Sequence, residues 1–313
     1  MSELGHFLKA KRAAIRPEDV GLPAIGNPRR VVGLRREEVA YLAAVSADHY
    51  TRLEQGRVTT ASNNILDGLA RALKLTDDEH AYLRLLTQPD SRRRPASRSA
   101  QVAAPVQDLL DALGPTPALL LGRRTDLLAW NTAATALFLD FAVLPRQHRN
   151  LVRLVFLEPR VRDLYADWKR VAAEAVARLR MDAVHTPNDP QLAQLVGELC
   201  LQDDDFRRWW AGHDVRITSA GRKRLHHPLI GTVDLDWQAL RLCATADQTL
   251  VTYTAPTGSA SHDALSILSC WSSDTHAVND RNQAPPPFAA APEGRFQGQR
   301  RDGSRWAGPR DGA

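Results

Sequence analysis

The chain has 313 residues, 43% of them hydrophobic, enough for more than one buried core, so two domains with tails are expected. No apolar run reaches membrane-spanning length, the N-terminus lacks the long apolar core of a secretory signal, and Cys200, Cys243 and Cys270 are too widely spaced for a disulfide framework. The expectation is a cytoplasmic protein that does not engage a membrane. The net charge of +5 is uneven: residues 1–104 carry 17 basic and 12 acidic groups, residues 105–272 carry 18 and 19, and residues 273–313 carry 6 and 5. A basic part beside a near-neutral one fits a nucleic-acid module joined to something else, and fits equally a genome that writes arginine wherever a cation serves.

In chain order, Leu4, Phe7 and Leu8 repeat at helical spacing, with Arg12 near the end of that first helix. Residues 16–33 hold three prolines and three glycines and read as a loop. In LRREEVAYLAAVSADHYTRLEQG, residues 34–56, Val39, Leu42 and Ala43 fall on one helical face. Ser46 is placed to cap a second helix whose buried side is Tyr50 and Leu53, and Gly56 takes the left-handed position that ends it. Two short helices at a tight turn, the second leaving Ala47, Asp48, His49, Thr51 and Arg52 off its apolar face, are a helix-turn-helix.

This unit resembles the helix-turn-helix of the lambdoid repressor and Cro class, the xenobiotic response element family, through Ala40, Val45, Ser46 and Leu53-Glu54-Gln55-Gly56. The turn residue, usually glycine there, is Ala44, which at positive φ costs roughly 1 kcal/mol. The resemblance implies a structural pair between Arg12 and Glu54. It also implies base-edge contacts from Ala47, Asp48 and Arg52, with Ser46, His49, Gln55 and Arg57 nearer the phosphates and Thr51 on the same surface. Arg52 is the expected specificity residue, since its planar fork matches guanine O6 and N7. Asp48 reads either as an acceptor for cytosine N4 or as a cap.

Ile65, Leu66, Leu69 and Leu73 mark a further helix behind Ser62, and Thr76 to Glu79 spell a capping box before Tyr82, Leu83 and Leu86. An all-α, five-helix domain is expected over residues 1–88, then a flexible basic linker over 89–104 carrying Arg92, Arg93, Arg94 and Arg98. From Pro105 a short helix leads to two apolar runs around residues 122–126, a hairpin, after which Asn131 caps a helical stretch reaching Trp210. Strands are expected at 214–217, 229–235, 239–243 and 249–254, then a closing helix over 259–270. This α+β order, with the early hairpin joining the later sheet, is PAS-like.

DLLAWN, RNLVRLVFLEP, YADWKRVAAEAVARLR, LVGELC, HDVR and KRLHHP are similar to motifs of the MmyB-like regulators of actinobacteria, and the likeness spans about residues 3–271. It implies a repressor-type domain followed by a PAS-like ligand-binding domain over 105–272, a small apolar, fatty-acid-like ligand, double-stranded DNA as partner, and a homodimer on a pseudo-palindromic operator. Residues 273–313, rich in Pro, Gly, Gln and Arg, are expected to be disordered.

Trp130, Phe138, Leu154, Phe156, Trp168, Trp209 and Tyr253 either wall a cavity or simply pack a core. Arg222 and Arg224, with Lys223 and His227, form a basic cluster in a turn that either holds an anionic head group or is solvated. Ser261-His262-Asp263 has triad residue types, but sequence neighbours cannot adopt triad geometry, and no metal-ligand spacing, phosphate loop or cofactor fingerprint is present. No enzyme and no cofactor are expected. The alternative function is a DNA-tethered protein-interaction module with no small ligand.

Overall fold

The structure, a computed structural model, describes residues 2–22, 33–87, 102–184, 186, 189–216, 218–243 and 247–283. Most of the expected linker, with its four arginines, falls at 88–101, outside the described residues, as do 23–32 of the first loop and 284–313 of the expected tail.

The N-terminal helices are α1 (Glu3–Ala14), α2 (Arg36–Leu42), α3 (Ala47–Glu54), α4 (Asn63–Ala72) and α5 (Asp77–Thr87), with a 3₁₀ turn at Pro17–Val20. Their starts follow the local chemistry: Ser2 accepts from the Gly5 amide, Ser46 accepts from that of His49, and Thr76 and Glu79 bond each other's backbone N–H. Ser62 sits at the start of α4 without a capping bond. Phe7, Leu8, Leu34, Val39, Tyr50, Leu53, Leu69 and Tyr82 fill the core between them. Close packing needs Gly5 and Gly68, since a Cβ at either would lie within 2.5 Å of a neighbouring helix's carbonyl oxygen, that of Glu54 or Ala43.

The second part runs α6 (Ala104–Ala112), β1 (Ala118–Leu121), β2 (Leu127–Trp130), α7 (Thr132–Leu137), α8 (Leu151–Leu157), α9 (Pro159–Leu164), α10 (Trp168–Val184), α11 (Pro190–Gln202), α12 (Asp204–Gly212), β3 (Ala220–His227), β4 (Gly231–Arg241), β5 (Thr249–Thr254) and α13 (Ala260–Gln283). The strands form one antiparallel sheet in the order β2-β1-β5-β4-β3, so the early hairpin does join the later strands. One face packs on the helical block through Leu119, Leu235, Val251 and Tyr253. On the other, Leu120, Ala129 and Leu250 lie under Leu110 of α6.

Four expectations change. Residues 214–216 have no regular structure, and 217 lies outside the described residues. The segments expected as strands at 229–235 and 239–243 merge into one strand, β4, with 229–230 in the turn before it, because Asp236-Trp237-Gln238 holds no Gly or Pro and pairs with β3 on one side and β5 on the other. Residues 222–224, placed in a turn from their charge, are the middle of β3. Finally, α13 continues beyond residue 272 to Gln283, since no Pro or Gly interrupts the chain before Pro285.

Candidate DNA interface and ligand cavity

The turn between α2 and α3 is closed by Val45 N–H donating to Ala40 O at 2.9 Å, and Ala44 takes φ +56° there, the strained position anticipated for it. Gly56 at φ +71° then turns the chain away. Tyr50 and Leu53 point into the core, which leaves Ser46, Ala47, Asp48, Arg52, Gln55 and Arg57 exposed and His49 and Thr51 half-buried. Arg52 is 53% exposed and sits 3.7 Å from Asp48 one turn earlier, a loose surface ion pair on the outer face of α3.

Behind this surface, Arg12 Nε and Nη2 donate to Glu54 at 2.8 and 3.0 Å, the expected pair. Arg12 also donates to Leu34 O at 2.7 Å, and Arg36 Nε reaches the same carboxylate at 2.9 Å, a partner not foreseen from sequence. Burial pushes the Glu54 pKa up, but hydrogen bonds and charge from the two arginines more than offset this and hold it below the ordinary value. Glu54 is therefore an ionised hub tying α1, α2 and α3 together.

A cavity of about 70 Å³ lies between the sheet and α8 and α10. At roughly 10–15 Å³ per water position it has room for on the order of five waters or a few ligand atoms. Its walls are mainly apolar, including Leu121, Val152, Val155, Val171, Val251 and Trp237, and the exposed Arg216 and Thr218 lie on its open side. Val171, Glu174, Ala175 and Arg178 contribute one face of α10 by helical spacing.

Of the residues expected around a ligand, Tyr253 lines this cavity. Trp130 packs on Phe141 and Phe138 on Tyr253, each with ring centroids 5.2 Å apart, and Leu154 is buried in the core. Phe156, Trp168 and Trp209 gather with Phe206 at centroid distances of 5.1–6.0 Å. Large rings prefer such tilted contacts with one another, and that preference draws these rings into the core, while Tyr165, Trp237 and Tyr253 remain in the cavity wall. Arg222 and Arg224 do not line this cavity. On a strand they share the solvent face and pair with Asp236 and Asp234 directly opposite.

Strand alternation instead turns Lys223 inward. Its Nζ lies 4.9 Å from the Trp237 ring centroid and 5.6 Å from that of Tyr165, and burial pulls its pKa down to about 8 despite the nearby charge of Glu174. The sequence carried this signal: Asp234 and Asp236, two apart, match Arg222 and Arg224, two apart, as only paired strands would.

Residues 1–275 form one compact unit, in which α1 meets the cavity domain. Arg180 on α10, 1% exposed, donates to Glu3 at 2.6 Å, approaches His213 Nδ1 at 2.8 Å, hydrogen-bonds Trp210 O and stacks on the Trp210 ring. Lys11 bonds both Glu79 and Asp214, while Val215, Met181 and Val184 pack into the N-terminal core.

The electrostatics predict that this junction weakens in acid. Burial raises the Glu3 pKa, but bonds and charge from His213 and Arg180 bring it down to about 2. Glu3 stability is thus complete above the ordinary value of 4.5 and is lost as pH falls toward 2. His213 is held below its ordinary 6.5, first by burial and also by Arg180, against the pull of Glu3. Stability from neutral His213 therefore declines as pH drops below 6.5. Thermal melts across pH are expected to show both steps, H213Q losing the upper and E3Q the lower. Unchanged profiles would show that the junction does not titrate.

A helix-turn-helix with an exposed recognition surface, packed on an α+β domain with an internal cavity, defines the class of DNA-binding, ligand-binding proteins. Residues 3–83 match the family model described as helix-turn-helix domain, and residues 102–268 match that described as MmyB-like transcription regulator ligand binding domain. The chain belongs to the MmyB-like transcription regulators, as a DNA-binding regulator with a ligand-sensing domain. Both matched families are regulatory. No curated protein matches the chain. Among the described residues no helix is long and apolar enough to cross a membrane.

Proposed function

We propose that residues 1–88 read an operator in the major groove through α3, as a homodimer, and that the PAS-like domain over residues 105–272 sets operator affinity by holding a small, largely apolar ligand in its cavity. One observation carries this reading: the elements that line the cavity also enter the DNA-binding core. Along α10, Glu174 and Arg178 face the cavity, whereas Arg180, Met181 and Val184 meet α1 and its core. Along the segment after α12, Asp214 holds Lys11 and Val215 enters that core, while Arg216 and Thr218 face the cavity. A ligand that moves these walls changes how α1 is held, and the energy available is its differential affinity for the two arrangements.

Within α3, base readout falls to Arg52. Selection of an operator from random DNA tests the assignment. Arg52→Ala is expected to weaken binding to the selected site by roughly 5- to 150-fold, the equivalent of 1–3 kcal/mol, and to relax preference at one base pair. Unchanged affinity and preference would remove Arg52 from the interface.

A further inference from the structure

Lysine and arginine together number 41 in this chain, and five of them are lysine. One of the five, Lys223, lies in the cavity wall, between Arg222 and Arg224 in sequence. A primary amine there offers what a guanidinium cannot, because arginine stays charged in any protein site whereas a lysine can give up its proton and act as a nucleophile. Its surroundings leave Lys223 free to do so. Its Nζ rests against the rings of Trp237 and Tyr165, which are wall residues themselves, and among the described residues it makes no hydrogen bond and no ion pair. The charged groups nearest it on α10, Glu174 and Arg170, are paired with each other. Lys11, by contrast, is held by Glu79 and Asp214, and Lys9, Lys74 and Lys169 are exposed to water. With its pKa lowered by burial from 10.5 to about 8, Lys223 at pH 7 has roughly 300 times the neutral fraction of an ordinary lysine.

We propose that Lys223 is a covalent ligand site, at which the amine condenses with the carbonyl carbon of a small apolar aldehyde or ketone to form a reversible imine. This rests on the ligand-sensing reading above. A lysine desolvated in an apolar pocket is the usual form of an amine that attacks carbonyls. The neutral Nζ gives its lone pair to the carbonyl carbon, a C–N bond forms, and the C=O π pair moves to oxygen. Both amine protons leave with that oxygen as water, through a carbinolamine, so the step needs no oxidant and no reductant. Hydrolysis reverses it. The imine takes up one proton, and the cation so formed lies where the ammonium lay, beside two aromatic rings and near the charge of Glu174.

The test treats the full-length chain, stripped of bound small molecules, with hexanal and cyanoborohydride at pH 7, which reduces an imine to a stable secondary amine, and locates the product by peptide mass spectrometry. Lys223 is expected to be alkylated at least about tenfold faster than the exposed Lys9 and Lys169 of the same chain. Lys223→Arg, which keeps the charge but cannot condense, is expected to lose that fast adduct. Labelling of Lys223 no faster than that of Lys9 and Lys169 overturns the inference, and calorimetric binding of hexanoate to the same preparation would then leave the cavity a site for an anion. Fast trapping at Lys223 with operator affinity unchanged by the adduct upholds the imine and removes the ligand-sensing reading. The comparison among lysines of the wild type decides the matter alone if the variant is unstable.

Discussion

Replacing Glu54 with alanine is expected to destabilise the helix-turn-helix unit by about 3–5 kcal/mol, the usual consequence of removing one partner of a buried ion pair. The reason lies in what stays behind. Glu54 is 2% exposed, and both of its oxygens accept from guanidinium groups on two other helices. Without it, Arg12 keeps the Leu34 carbonyl but has no counter-charge in a largely buried site. Set against the 5–15 kcal/mol that holds a typical domain together, the loss removes much of its stability. Urea unfolding followed by far-UV circular dichroism should show the early transition shifting to lower denaturant, with operator binding lost in parallel. A shift of under about 1 kcal/mol, the size of an ordinary surface pair, would mean that the hub is solvated and not structural.

The second large effect concerns communication between the two parts. Arg180→Ala is expected to disconnect operator affinity from cavity occupancy while leaving the operator contacts in place, because Arg180 touches α1 and α12 but no residue of α3. One guanidinium bridges Glu3, His213 and the Trp210 carbonyl, and its face lies 4.0 Å from the Trp210 ring centroid. Lysine, a point charge on a flexible stem, cannot reproduce that fork, so Arg180→Lys should be only partly coupled. Allosteric couplings are commonly 5- to 150-fold in affinity, and the alanine variant is expected to bring the ratio close to one. A full ligand effect in Arg180→Ala would place the coupling elsewhere, with the segment carrying Asp214 and Val215 the next element to alter.

The parts of this design legible from sequence were those written in local chemistry. The cap at Ser46, the turn at Ala44, the stop at Gly56 and the capping box at Thr76 depend on residues within four positions of one another, and each took the expected geometry. The Arg12–Glu54 pair, 42 residues apart, came from resemblance and not from pattern. What escaped were choices made by tertiary packing. A run of three cations reads as a solvated turn until the opposing Asp234 and Asp236 reveal a strand, after which alternation sends Lys223 inward and its neighbours out. The aromatic residues read either as a cavity wall or as core, and packing divided them: Tyr253 lines the cavity, while Phe156, Trp168 and Trp209 gather with Phe206. Val215 lay in a short alternating run that looked like a strand, and nothing local announces that it belongs to another part's core.

The most direct test of the account is operator affinity measured twice on the same full-length preparation, by fluorescence anisotropy, first stripped of bound small molecules and then with the extracted material restored. If α10 and the segment after α12 carry cavity occupancy to α1, the two dissociation constants differ by about 5- to 150-fold. Equal constants, with occupancy of the cavity verified by mass spectrometry, would contradict it.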